Sequence, residues 1–384
     1  MAITVLQRPL VYYPDSGSGT DPNKWNAVGN PIIYKFNANV IAYDSYRLEV
    51  EVYNGLTNAL LTEDPFEFIP DETTHDIIAD ISVILRAYLS PNNNINALMD
   101  DDTDVYLKFY IKYREVWTGS ANGQTNDSAN KFFAILAAKQ IPSTYGGNMA
   151  EYSAYDGGTV VPKFLTKLDT PVMWRDYPFF LSLIVPEDLD VNTEFYAVGS
   201  SVDVIGAAGD NSEKVLTVNL FGSDVEGGDE FDIYLRQFPT NTVKSEIKTV
   251  EVRDACLNPV MLLARNSLGG ILQWMFEYNQ EEVYDFGGSI KNRRQTLTAN
   301  GLTINQWQAL HDFITLGDVY RENIVEFSSS TIKTQTRVGQ QVYVLEADGT
   351  KTGVIVIPTK NKTNTKQKFH KFEIEIEYPE VFQP

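Results

Sequence analysis

Apolar and polar residues alternate with period two over several long stretches, and this alternation narrows the possible folds more than any other feature. Tyr46, Leu48, Val50 and Val52 alternate with Arg47, Glu49 and Glu51. Val105, Leu107, Phe109, Ile111 and Tyr113 alternate with Tyr106, Lys108, Tyr110 and Lys112, and Phe372, Ile374, Ile376 and Tyr378 with Lys371, Glu373, Glu375 and Glu377. Successive side chains of a strand point to opposite faces, so each stretch predicts a strand with one dry and one wet side. Val215–Leu220 and Phe231–Leu235 repeat the pattern. The 21 Tyr and 20 Phe residues agree with this, since aromatic side chains collect in sheets. The chain is expected to be mainly β.

Two stretches carry a helical period instead. Within Asp76–Leu89, Ile77, Ile81, Ile84, Leu85 and Tyr88 recur at helical spacing, with Asp76 or Asp80 placed to cap the start. Thr303-Ile-Asn-Gln306 reads as a capping box, with Leu302 and Trp307 placed for a hydrophobic staple. Leu310, Phe313 and Ile314 continue the apolar face and Gly317 offers a left-handed exit, so a helix is expected over Thr303–Leu316.

At 384 residues the chain is too long for one ordinary core. Composition shifts near Asp156–Gly158 and Asp254 divide it. Residues 1–30 are expected to hold an N-terminal strand and an extended arm, the polar, aperiodic Pro14–Asn30 with its Ser16–Gly19 run. Residues 31–160 then form a β-sandwich with a short helix near 76–89, and 161–255 a second sandwich. Residues 256–384 form an α+β domain with the helix near 303–316. Asn30-Pro31 forces an extended entry to the first sandwich. The Gly269-Gly270 pair permits positive φ in a tight turn between two apolar runs, giving a hairpin in which Trp274 and Phe276 share a face.

No constellation of catalytic residues emerges. Gly227-Gly-Asp-Glu-Phe231 is similar to the signature of diguanylate cyclases, and Asp190 lies upstream as a second acid. That family alternates helices and strands around its hairpin, whereas Val198–Leu220 reads as strands and turns. The motif is therefore read as a turn leading into a strand. Asp100, Asp101, Asp102 and Asp104 are read as solvated loop acids. Asp188, Asp190 and Asn192 open like a calcium loop, but Thr193 and Gly199 stand where it needs glycine and glutamate. His75, His311 and His370 fall on three separate segments without zinc-motif spacing. The one cysteine, Cys256, permits no intrachain disulfide and is read as a small buried apolar residue. No enzyme activity, metal or cofactor is expected. No apolar run is long enough for a membrane helix, and Met1–Pro9 lacks signal-peptide grammar, so a soluble protein made in the cytoplasm is expected.

Three separated stretches resemble one group of proteins. They are Asn30-Pro-Ile-Ile-Tyr-Lys-Phe36 with the strand ending Val50–Tyr53; Asp80–Leu85 running on to Tyr88-Leu-Ser90; and Cys256-Leu-Asn-Pro259 with Arg265–Gly270 and Trp274-Met-Phe276. Lys163–Leu165 and Asp176–Phe180 lie between them. Together these are similar to structural tail and ring proteins of tailed phages of Bacteroidetes, the crAss-like phages included. The resemblance implies tandem immunoglobulin-like β-sandwich domains and a non-enzymatic role in the virion. The chain would be a ring subunit in the collar or tail barrel, made in the host bacterial cytoplasm. Its partners would be copies of itself, the portal or neighbouring tail rings, with phage DNA only in transit and no membrane. A receptor- or glycan-binding tail-tip module is the alternative.

Charge adds a direction to that reading. Residues 1–255 hold 37 acids and 18 bases, while residues 256–384 hold 14 and 13. An acidic chain is a poor phosphate binder, which argues against nucleic-acid recognition. The near-neutral last part carries a basic loop with Lys360, Lys362, Lys366 and Lys368, suited to docking on an acidic face of the next subunit. Tyr12, Tyr13 and Trp25 of the arm are the other candidate interface residues, because aromatics anchor interfaces.

Overall fold

The computed structural model describes residues 3–9, 25–38, 44–90, 97–138, 147–153, 161–186, 189, 192–198, 204–207, 212–221, 229–285, 292–311, 342–359, 361, 364 and 366–378. These residues are mainly β. The chain divides into two compact units, Met1–Asn92 with Thr103–Tyr155, and Asn93–Asp102 with Asp156–Pro384.

The first unit has two sheets. Thr4–Gln7, Ile33–Asn37 and Asp76–Asp80 form one, antiparallel throughout. The other is built on the 12-residue strand Tyr106–Trp117. It pairs with Arg47–Asn54 on one side and with Phe132–Ile135 on the other. Phe66–Phe68 ends the sheet beyond Arg47–Asn54, and Trp25–Ala27 lies beyond Phe132–Ile135. The alternating residues do what their period requires: Leu48, Val50, Val52, Phe109 and Ile111 are fully buried, facing Tyr34, Phe36 and Ile77 in one core. Arg8, just after the strand Thr4–Gln7, adds a two-pronged ion pair to Asp127, at 2.9 and 3.0 Å.

Two expectations for this unit are corrected. Asp76–Asp80 is a strand, and the helix begins only at Ser82 and ends at Ala87. Asp80 still works at the junction, where its Oδ1 accepts from the N–H groups of Ile32 and Ser82, both at 3.0 Å. The arm, in turn, has no solvated extension at Trp25–Ala27. This strand is wholly buried and runs parallel to Phe132–Ile135.

The second unit has two sheets and a barrel. One sheet pairs the fully buried Phe179–Val185 with Lys214–Leu220, and Met99–Asp101 adds on the far side. The other sheet runs Val172–Trp174, Lys248–Arg253, Glu230–Gln237, Thr193–Val198 and Val204–Ala207. The part expected as α+β is a closed six-stranded barrel. Its strands in spatial order are Pro259–Arg265, Ile271–Asp285, Asn292–Leu302, His370–Glu377, Lys351–Pro358 and Val342–Leu345. Its helix begins at 304 and is described as far as 311. Residues 312–316 of the expected helix lie outside the described residues. Closure follows from strand length: two antiparallel strands of 15 and 11 residues leave long edges, and closing the sheet removes them. Trp274, Phe276, Leu297, Phe372 and Ile374 fill the core, which continues to the two sheets through Trp174 and Phe180. Trp174 meets Trp274 edge to face at 5.4 Å.

The capping box forms as its sequence dictates. The Thr303 N–H donates to Gln306 Oε1 at 3.1 Å, and the Gln306 N–H donates to Thr303 Oγ1 at 3.4 Å. Leu302 and Trp307 are buried beside it, and Trp307 meets Phe372 edge to face. Thr303→Ala is expected to lower stability by about 1 kcal/mol. Chemical denaturation measures this, and Thr303→Ser should recover most of the loss.

Candidate interaction surfaces

Of the residues expected at an interface, Trp25 is the clearest departure. Its ring stacks on Phe133 at 4.4 Å and is 1% exposed, so it serves its own core and is out of a neighbour's reach. Tyr12, Tyr13, Lys360 and Lys362 lie outside the described residues. Lys366 and Lys368 are exposed on the connection between Lys351–Pro358 and His370–Glu377. Beside them Phe369 is 57% exposed, with the Lys368 ammonium 5.4 Å from its ring centroid. Lys371 follows, bound to Glu373 at 2.8 Å. The barrel therefore presents an aromatic tip flanked by lysines.

The first unit presents the opposite chemistry, which the sequence reading missed. A groove of about 440 Å³ lies between the segment 61–66 and the helix Ser82–Ala87. Leu61, Pro65 and Phe66 form one wall, and Val83, Ala87 and Tyr88 the other. Phe66, Val83 and Tyr88 are 41%, 52% and 51% exposed. Glu63 and Asp64 stand exposed on its rim. One signal was present in the sequence. Val83-Ile84-Leu85 is a run of three apolar residues in a short helix, and a helix has only one face toward a core. Ile84 and Leu85 take that face, which leaves Val83 outside.

A second concavity, of about 250 Å³, lies on the barrel. Tyr177, Tyr278 and Tyr378 line it together with Gln295, Asn258 and Glu346. Burial, with the nearby Glu346 charge, raises the Tyr177 phenol above its ordinary pKa, so its hydroxyl keeps its proton.

The other sequence candidates are dispersed. Phe231 is buried in the strand Glu230–Gln237 and Asp229 is exposed, while Gly227 and Gly228 lie outside the described residues. Asp100 and Asp101 belong to a strand. Asp102, expected as a solvated loop acid, is instead buried and paired with Arg265. Cys256, expected as a buried residue, is exposed, and desolvation pushes its thiol pKa up. His311 stacks on Trp307, and His370 is buried. Among the described residues no three His, Cys, Asp or Glu side chains gather as metal ligands would. No helix there is long and apolar enough to cross a membrane. No protein-family model matches the chain, and no curated protein matches it.

Proposed function

We propose that the chain is a non-enzymatic virion structural protein. It forms one subunit of a ring in the collar or tail barrel of a tailed phage, through which DNA passes. The observation that carries this reading is the pair of unlike exposed surfaces on one chain. An acid-rimmed apolar groove lies on the first unit and a lysine-flanked aromatic on the second. Two different surfaces on each copy are what a head-to-tail contact needs, and such contacts make rings when the rotation closes. The resemblance of Asn30–Phe36, Asp80–Ser90 and Cys256–Phe276 to phage ring proteins supports the same reading. The sheets that precede the barrel are read as two immunoglobulin-like sandwiches. In each, an early strand runs parallel to a late strand of an otherwise antiparallel sheet: Trp25–Ala27 with Phe132–Ile135, and Val172–Trp174 with Lys248–Arg253. The acidity of residues 1–255 suits a surface past which DNA slides without sticking.

Electron microscopy of the purified chain tests this. Annular particles with a central hole are the expected result. A chain that stays monomeric at every concentration, in low salt as well as physiological salt, overturns it.

The three-tyrosine concavity on the barrel favours a second reading, a glycan-binding tail-tip module. Aromatic faces stack on sugar rings, while amides and carboxylates bond their hydroxyls. Glycan-array binding that disappears in Tyr378→Ala, from a chain that forms no rings, would favour this reading over the first.

A further inference from the structure

We infer that the groove between residues 61–66 and the helix Ser82–Ala87 is the socket for Phe369 of a second copy of this chain. The inference rests on the ring reading and specifies its contact. The groove already holds three large apolar side chains that are 41–52% exposed, and clustered apolar exposure of this kind marks an interaction site. Its rim is negative. Among the described residues, neither Glu63 nor Asp64 has an ion-pair partner.

The barrel tip complements the groove in chemistry, an exposed aromatic for an apolar trough and lysines for an acidic rim. Phe369 projects an exposed ring of a type that dominates interface energetics when it enters an apolar pocket. Lys366 and Lys368 are positioned to meet rim carboxylates when the ring is seated. Charges at a rim set register and encounter rate more than final affinity. The ring thus supplies the hold, and the lysines supply the choice of partner.

Phe66 of that wall opens the strand Phe66–Phe68, the last of its sheet, which among the described residues pairs only with Arg47–Asn54. An incoming hairpin tip therefore meets a sheet edge as well as an apolar trough.

Each copy brings one socket and one tip, so the contact uses both without leaving a copy in a special position. An aromatic tip in a single groove buries little area by the standard of stable complexes. Closure into a ring compensates, because each copy is then held twice.

Mixing experiments with full-length chains test the pairing. Phe369→Ser with Lys368→Glu disables the tip, and Glu63→Lys with Tyr88→Ser disables the socket. All four side chains are exposed, and unchanged thermal melts show that each variant folds. Analytical ultracentrifugation of either variant alone is expected to show only monomer. Phe369→Ser alone weakens the contact roughly thirty-fold. A mixture of the two disabled chains at high concentration is expected to give a weak one-to-one dimer and nothing larger, since one sound socket meets one sound tip without the gain of closure. Added salt should slow assembly of the wild-type chain.

Rings that persist in either disabled chain overturn the pairing while leaving the ring reading intact. A mixture that stays monomeric also overturns the pairing, as it would if the tip filled the groove of its own chain or served another partner. A wild-type chain that never assembles sinks both readings.

Discussion

Replacing Asp102 with alanine is expected to cost the second unit about 3–5 kcal/mol, the range for removing one partner of a buried ion pair. Asp102 follows the short strand Met99–Asp101, which adds to the edge of Lys214–Leu220. Its side chain is 1% exposed and faces that of Arg265, itself only 7% exposed, in a direct ion pair. Thr217 Oγ1 donates to the carboxylate at 3.4 Å, and Ser182 and Thr217 share a further buried hydrogen bond. Arg265 closes the network by donating to the Gly269 carbonyl at 3.2 Å. The pair thus fastens the end of the segment Asn93–Asp102 to the first strand of the barrel. Alanine leaves the guanidinium buried opposite a methyl group. A loss of this size lowers the melting transition of the unit by on the order of 10 °C. A loss below about 1 kcal/mol would show that Arg265 finds another partner at no cost.

The pH dependence of the same site has a definite sign. Burial raises the Asp102 pKa, and this outweighs the opposing pull of the Arg265 charge. The folded state therefore holds the proton more tightly than the unfolded chain. The part of its contribution that depends on the proton is complete below the unfolded carboxylate pKa of about 3.9, and is lost as pH rises through the higher folded value. The margin of wild type over Asp102→Asn should widen on acidification from pH 7. Denaturant melts at several pH values measure that margin. A margin that narrows instead would mean that attraction to Arg265 outweighs desolvation.

The sequence made some of the fold legible, and the failures have physical causes. Leu48, Val50 and Val52 announced a strand because one face is core and the other water. Ile77 and Ile81 were misread because a spacing of four satisfies both a helix and a strand. The deciding fact, pairing of Asp76–Asp80 with Ile33–Asn37, is non-local. The capping box was legible because all its atoms lie within four residues. Barrel closure was not, since it depends on Val342–Leu345 returning to Pro259–Arg265 across a long stretch of sequence. The same distinction holds for the interaction surfaces. The basic tip is local and could be read from its lysines. The groove needs two segments brought together, and Trp25 faces inward only because Phe133 lies beside it.

Gly269 and Gly270 separate local from non-local causes within one dipeptide, and Gly270→Ala is expected to be the more damaging substitution by a factor of two or more. The sequence reads the pair as permitting positive φ in a tight turn. Only Gly269 has it, at φ +86°, in a turn closed by its N–H donating to the Asn266 carbonyl at 3.1 Å. Alanine at 269 meets backbone strain of about 1–2 kcal/mol, and asparagine less. At Gly270 the constraint is contact. An added Cβ would lie 2.1 Å from the Leu165 carbonyl oxygen and 2.7 Å from the Leu165 Cβ. Leu165 is poorly placed to retreat, because its N–H donates to the Ser182 carbonyl at 2.8 Å, tying it to the strand Phe179–Val185. Its carbonyl also accepts from Asn266 Nδ2 at 2.7 Å, so any shift that relieves the clash puts a buried hydrogen bond at risk. Overpacking of this kind costs about 3 kcal/mol, and stranding the amide adds roughly 1–3 kcal/mol more. Equilibrium unfolding of Gly269→Ala, Gly269→Asn and Gly270→Ala ranks the three directly. If Gly269→Ala proved the worst, the turn rather than the contact with Leu165 would be the reason for this glycine pair.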